Sequence, residues 1–292
     1  HDALPICKID VTIAVDSRHN EVEYVDVARG ISDFDLSPDG KEIVFVARGE
    51  VFITSTGHTD TKRITNTPEQ ERSASFSPDG RSVLYASERD GSWSVYRTDL
   101  TDDNEPSFFN ATAFEEKVVV ATQAEEFQPT FSPDGKEVAY LENRVTLKVI
   151  NLASGASRTI LPAEYNYSYR DGDQWYDWSP DGKWFLIKFL SPTRWSTEVG
   201  LMAASGEGEL VNLTKNGYWD ATPRWVMDGE GMIWFSDRHG ARLEAGWAAS
   251  YDVYASFFTR DSWDKFRLSE VELEQRKERE KKKDKKDKDT GD

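Results

Sequence analysis

The sequence contains one cysteine, Cys7, in 292 residues. A single thiol closes no disulfide framework and builds no cysteine zinc site, and it leaves the compartment open. Histidine is almost as scarce. His1, His19, His58 and His239 form no His-Glu-x-x-His pair and no close-spaced cluster, so no metal ligand is assigned. A Gly-x-Ser-x-Gly elbow is missing, which excludes an α/β-hydrolase nucleophile from this stretch. Neither a Gly-rich phosphate loop nor a dinucleotide fingerprint occurs, and no cofactor is expected. No apolar run reaches the roughly 18 residues that a membrane-spanning helix needs. The chain opens on His1 with no initiator Met and no signal peptide, as a fragment would.

Positive charge is also in short supply. The net charge is −17, and the imbalance is uneven. Residues 265–292 carry 11 basic and 9 acidic side chains, which leaves −19 on residues 1–264. A body this acidic repels phosphate backbones, so nucleic acid is excluded as a partner. The acidity serves solubility, or else sets up a field that draws cationic peptides. Hydrophobic residues make up 38% and aromatics 12%, with ten Trp; together with many Val, Ile and Thr they favour strands over helices.

His1-Asp2-Ala3-Leu4-Pro5-Ile6 back-translates as CAC-GAC-GCT-CTT-CCG-ATC, the end of a widely used sequencing adapter. Residues 1–7 are therefore expected to be foreign to the natural protein and are set aside.

Self-similarity organises the rest. Ser-Pro-Asp-Gly occurs unaltered at 37–40, 77–80, 132–135 and 179–182, and Val226-Met227-Asp228-Gly229 is a degenerate fifth copy. The spacings are 40, 55, 47 and 47 residues. Pro presets φ, Asp bonds nearby amides and Gly accepts φ > 0, so the motif is a tight turn. An apolar residue precedes each copy: Leu36, Phe76, Phe131, Trp178 and Trp225. Strand-like runs follow at 41–47, 81–87, 136–142, 183–189 and 231–237, then second runs at 50–56, 93–100, 146–152, 198–204 and 252–258. Third pieces rich in Thr and Asn stand at 62–68 and 210–214. The turns Glu88-Arg89-Asp90-Gly91 and Asp237-Arg238-His239-Gly240 align, which supports counting the degenerate copy as a repeat.

Four short strands per period of about 40–45 residues predict an all-β fold, a β-propeller of four-stranded antiparallel blades with five blades present over 31–264. A sandwich of hairpins is the alternative, but it requires no turn at fixed phase. Trp175, Trp178, Trp225 and Trp234 are expected to pack between blades. Residues 8–30 hold two lead-in strands, at 11–15 and 21–28. Residues 265–292 read as a charged linker, helical over 268–283 and disordered from 281.

The recurrence of the turn Asp argues for a structural role, because catalysis needs one unequal constellation. Asn110-Ala111-Thr112, Asn166-Tyr167-Ser168 and Asn212-Leu213-Thr214 fit the short glycosylation pattern and are read as chance.

Phe/Trp-Ser-Pro-Asp-Gly-Lys followed by an alternating strand resembles the WD-like repeat of TolB-type propellers. Longer segments are similar to the second propeller of bacterial tricorn-like serine proteases. They are 48–52, 64–72, 148–152, Gly172-Asp173-Gln174-Trp175 and 232–238. The resemblance covers roughly residues 8–274. It implies a seven-bladed ring, of which five blades lie here, ahead of a PDZ-like domain and a serine-peptidase core. It implies a propeller that guides or filters peptides, and a periplasmic location. The family's catalytic Ser and His match no position here, so catalytic, cofactor-binding and metal residues are all assigned as none.

Peptides or unfolded proteins are the implied partners, beside the downstream domains and a possible homo-oligomer of the full-length protein; no membrane partner is implied. Two other readings stay open, a stand-alone TolB-like interaction propeller and the propeller of a prolyl-oligopeptidase-like enzyme. Any ligand should meet the innermost strands, 33–36, 73–76, 128–131, 175–178 and 222–225. Their polar candidates are Asp33, Asp35, Asp177 and Arg224, with bonding to backbone groups between blades as the competing role.

Overall fold

Each Ser-Pro-Asp-Gly turn is held by its own side chains. In the computed structural model, Ser37 Oγ donates to Asp39 Oδ1 at 2.8 Å, and the same carboxylate accepts the Lys41 amide at 3.1 Å. Gly40 closes the turn with φ 72°. Ser77–Asp79, Ser132–Asp134 and Ser179–Asp181 repeat the bond at 2.5, 2.7 and 2.6 Å. The serine hydroxyl holds the Asp39, Asp134 and Asp181 carboxyls below the usual range. The recurring aspartates are thus turn-builders, as their recurrence predicts.

The structure describes residues 27, 30–168, 172, 174–191, 193, 195–240 and 250–289. Residues 1–7, expected to be foreign, the strand expected at 11–15 and nearly all of the one expected at 21–28 lie outside them. Each turn joins the first two strands of one antiparallel sheet. The first sheet runs β1 (Ile31–Leu36), β2 (Glu42–Ala47), β3 (Glu50–Ser55), β4 (Thr61–Arg63). The second runs β5 (Glu71–Phe76), β6 (Ser82–Arg89), β7 (Ser92–Leu100), β8 (Phe114–Val120). The third runs β9 (Glu126–Phe131), β10 (Glu137–Glu142), β11 (Thr146–Asn151), β12 (Ser157–Leu161). The fourth runs β13 (Tyr176–Trp178), β14 (Trp184–Leu190), β15 (Thr197–Ala203), β16 (Val211–Asn212). The fifth contains β17 (Asp220–Val226), β18 (Gly231–Ser236) and β19 (Asp252–Phe257), three strands among the described residues. These are propeller blades in sequence order.

The blades stack through their turns and their faces. A Cβ on Gly80 would lie 3.6 Å from Pro38 Cδ of the preceding turn; Gly135 meets Pro78 at 3.8 Å, Gly182 meets Pro133 at 3.6 Å, and Gly229 meets Pro180 at 3.3 Å. Apolar clusters straddle neighbouring blades: Val44, Ile53, Phe76 and Tyr85 join the first two, and Leu141, Leu147, Trp178 and Phe185 join the third and fourth. The 55-residue spacing is explained by a loop after β7. It buries Phe108 against Phe76 and donates the Phe109 amide to Glu42 at 2.8 Å.

A second register of buried polar groups lies six residues before the first position of the second, third and fifth turns. Glu71 accepts from Thr67 and Ser87 at 2.8 Å each, Glu126 accepts from Thr122 at 2.5 Å, and Asp220 accepts from Asn216 at 2.8 Å. Burial pushes the Glu71 and Glu126 carboxyls up from 4.5, because the charged form is the costlier one inside the sheet stack.

The end blades are incompletely covered. Phe34 is 76% exposed, while its repeat equivalents Ala74, Pro129, Tyr176 and Pro223 are all buried by the preceding blade. Leu36 is exposed where Phe76 is buried, and Val253 on the last blade is 62% exposed. Beyond β19 comes α1 (Arg260–Phe266), which the sequence reading did not anticipate. It is capped by a reciprocal Thr259–Ser262 box, and Trp263 and Phe266 pack on Phe257. The charged helix α2 (Glu270–Asp289) follows and runs through residues expected to be disordered.

Two outcomes follow from this packing. Phe34→Ser should cost under about 0.5 kcal/mol in urea melts, and Phe76→Ala about 3–4 kcal/mol. A raised carboxyl contributes stability that is complete below its unfolded pKa and lost as pH rises through the folded one. Glu71→Gln should therefore raise the melting temperature at pH 8 relative to the parent, with the gain vanishing toward pH 4. A gain that grows on acidification would contradict the assignment.

Candidate functional site

The innermost strands β1, β5, β9, β13 and β17 face a common axis, as the repeat phase requires. Three of them carry a bulge at the same phase, with Ser73, Gln128 and Thr222 at φ 56°, 50° and 52°. A bulge re-aims the side chains beside it. The strands enclose a cavity of ≈ 730 Å³ to which all five blades contribute. Its polar walls include Asp33, Asp35, Arg72, Gln128 and Arg224, with Trp175 and Phe34 as the main apolar surfaces.

The candidate residues divide by what they bond to. Asp35, Ser75, Thr130, Asp177 and Arg224 occupy one repeat position, two residues before the turn's first residue. Asp35 Oδ2 accepts the Phe76 amide of the second blade at 2.9 Å, and Ser75 Oγ donates to Pro129 O of the third at 3.0 Å. Thr130 Oγ1 reaches the Tyr176 hydroxyl of the fourth at 3.4 Å. Asp177 Oδ2 accepts the Trp225 amide of the fifth at 3.2 Å. This column is a girdle that ties each blade to the next, so Asp35 and Asp177 serve backbone groups between blades. Burial pushes the Asp177 carboxyl up, against the pull of Arg224, whose Nη1 stands 3.5 Å away.

Asp33 accepts a bond from Ser32 Oγ at 3.0 Å and makes no cross-blade bond among the described residues. Two arginines instead dominate the cavity wall. Arg224 stacks on Trp175 at 4.3 Å, and Trp175 Nε1 donates to Pro223 O of the next blade at 3.0 Å. Arg72 stacks on Trp93 at 4.7 Å and donates to Gln70 at 3.1 Å. Sequence reasoning missed Arg72. The signal available was its Trp partner, which lies on the third strand of the same blade, 21 residues away.

Of the four tryptophans expected between blades, Trp178 is buried. Trp225 and Trp234 are part-buried and pack on the core that joins the fourth and fifth blades. Trp175 instead lines the cavity. Among the described residues no group of His, Cys, Asp and Glu is arranged to hold a metal ion, and no helix is long and apolar enough to cross a membrane.

Asp177→Ala strips the Trp225 amide of its acceptor and should lower stability by about 1–3 kcal/mol. Asp33→Ala should stay within about 0.5 kcal/mol of the parent. Parallel denaturant melts decide; equal losses would mean that Asp33 also ties blades together.

No family model matches the sequence. Over 108 residues the chain is 30% identical to a tricorn-like protease C-terminal subunit of Sulfurisphaera tokodaii, a stretch that is 37% of this chain and 12% of that protein. The chain thus spans about an eighth of the length of that relative. Among solved structures, the tricorn protease superposes with TM-score 0.56 at 14% identity, covering 80% of this chain and 22% of that one. TolB from Agrobacterium tumefaciens superposes with TM-score 0.54 at 15% identity, covering 78% of this chain and 90% of that one. At these identities the superpositions establish the fold, and the 108-residue match ties the sequence to tricorn-like proteins. The chain is a β-propeller region similar in sequence to tricorn-like proteases and in fold to the tricorn protease and TolB propellers.

Proposed function

We propose that this chain is the non-catalytic propeller region of a tricorn-like serine peptidase, guiding or filtering peptide segments for a protease core elsewhere on the same polypeptide. The 108-residue similarity to a tricorn-like subunit carries the reading. The axial cavity supports it. Its walls alternate hydrogen-bonding groups with the Trp175 surface and carry both signs of charge, in Asp33, Arg72 and Arg224. An extended peptide offers a donor and an acceptor at almost every residue and is matched by such a lining.

On this reading the partners are peptides or unfolded segments, a PDZ-like domain and the peptidase core. Self-assembly runs through the full-length protein, and the compartment is the periplasm. Hydrolysis belongs to the rest of the polypeptide.

A second reading, a TolB-like interaction propeller in the same compartment, is favoured by the 90% coverage of the Agrobacterium TolB structure. Sequencing the source gene outward from both ends separates the two. A PDZ-like segment and a serine-peptidase core downstream are the expected result. A stop codon close after Asp292 would leave the interaction propeller.

In the full-length protein, Arg224→Glu should change the rate on unfolded casein by about three- to tenfold while sparing a chromogenic tripeptide. Equal effects on both substrates would remove the channel from the pathway of long substrates.

A further inference from the structure

Four of the five turn aspartates are occupied by their own turn. Asp39, Asp79, Asp134 and Asp181 each accept the hydroxyl of the serine two residues earlier. In the degenerate copy that serine is Val226, so Asp228 has no hydroxyl to accept. The connection keeps its length but changes its conformation: Met227 and Asp228 stand at φ 54° and 53°, the closing bond runs from Glu230 N to Met227 O at 3.0 Å, and Gly229, at φ 87°, still packs on Pro180 of the fourth blade. Asp228 forms no ion pair and no side-chain hydrogen bond among the described residues.

Asp228 opens onto a groove of ≈ 300 Å³ between the fourth and fifth blades. Trp184, Trp225 and Phe258 wall it, Leu201 contributes further apolar surface, and Asp181 lies along it. Trp184 is 41% exposed and Phe258 43%. Trp225 is fixed by its amide and its indole N–H, both bonded to Asp177, and its ring stands 5.7 Å from that of Phe258. Asp181 already has a cation, with Lys183 Nζ at 3.4 Å.

The matching groove between the second and third blades shows what the fold does elsewhere. Arg97 stands there at the position of Leu201, and Arg81 at that of Lys183. Arg97 is held by Asp99 at 2.8 Å, and Arg81 donates to the carbonyls of Asp102 and Glu105 at 2.9 and 3.0 Å. That groove carries its own guanidinium groups. The groove between the fourth and fifth blades has lost them and has gained aromatic faces and an unoccupied carboxylate.

We propose that the groove between the fourth and fifth blades binds the cationic side chain of an arginine- or lysine-bearing peptide segment. The cation lies against the faces of Trp184 and Trp225, and Asp228 meets its charge. Aromatic faces beside a carboxylate select a cation over a neutral isostere, and the −19 net charge on residues 1–264 raises the local concentration of cationic segments. The site lies apart from the axial cavity and does not depend on the channel reading.

The test titrates the full chain, labelled with 5-fluorotryptophan, with acetyl-Gly-Gly-Arg-Gly-Gly-amide and its lysine and citrulline counterparts, read by fluorine NMR. The arginine and lysine peptides should shift the Trp184 and Trp225 resonances, and citrulline should bind about three- to tenfold more weakly. Asp228→Asn and Trp184→Ser should each weaken the arginine peptide by a similar factor. Citrulline binding as tightly as arginine would overturn the proposal, and this comparison needs no variant to fold. So would unchanged affinity in Asp228→Asn with a parent-like melt. Replacing the lysines of 281–288 with glutamine in the full chain should leave the affinity unchanged. A tighter site would assign the groove to the chain's own basic segment and overturn the assignment to a separate peptide.

Discussion

A small sheet with two apolar faces cannot stand alone, and the whole architecture answers that constraint. β6 is buried along most of its length because one neighbour covers each face of its blade. Loss of either neighbour would expose side chains such as Tyr85 and Leu84, which belong to different clusters on opposite faces. Each blade is therefore stabilised by the next, as in other repeat proteins where interface terms carry the fold. The Pro–Gly contacts between successive turns and the girdle of polar bonds set the angular step. The apolar clusters supply the driving force.

The same constraint sorts the polar residues. A side chain near the axis meets either the neighbouring blade or the cavity. Asp35 and Asp177 meet the neighbour and accept part-buried amides, whose loss of a partner would cost about 1–3 kcal/mol each. At the same repeat position one blade on, Arg224 reaches back to Asp177 and lies over Trp175. Conformity to the repeat marks structural duty, and departure from it marks the places where a side chain has become available. Asp228 is such a departure.

Most of the scaffold was legible in the sequence because turns are local. Ser-Pro-Asp-Gly states its own conformation within four residues, and its phase sets the strands on either side, so strand order and the structural role of the turn aspartates could be read directly. The fifth repeat was legible because Asp228-Gly229 persisted at the right phase after Val226 and Met227 replaced Ser and Pro, although the connection there takes a different conformation. Less legible was whatever depends on contacts between blades. The bulges at Ser73, Gln128 and Thr222 have no common residue type, and Arg72 is defined by Trp93 across a sheet. Trp175 looked like core and lines the cavity. Helix α1 escaped notice because 260–266 carries too few apolar residues for a periodic stripe. It is held by its cap and by Trp263 and Phe266 on Phe257.

Net charge shows the same division. The −19 on residues 1–264 describes a mean field felt at a distance, and it says little about a concave site whose lining is fixed by repeat phase. Within the axial cavity Arg72 and Arg224 stand beside Asp33 and Asp35. Each guanidinium lies over an indole, Arg72 4.7 Å from Trp93 and Arg224 4.3 Å from Trp175, which helps to hold its charge in place. The acidic excess and the axial arginines thus act at different ranges. On the proposed function, the first would gather cationic segments to the surface and the second would set what the axial cavity accepts. A chain that did both would discriminate among peptides by where their charges fall as well as by how many they carry.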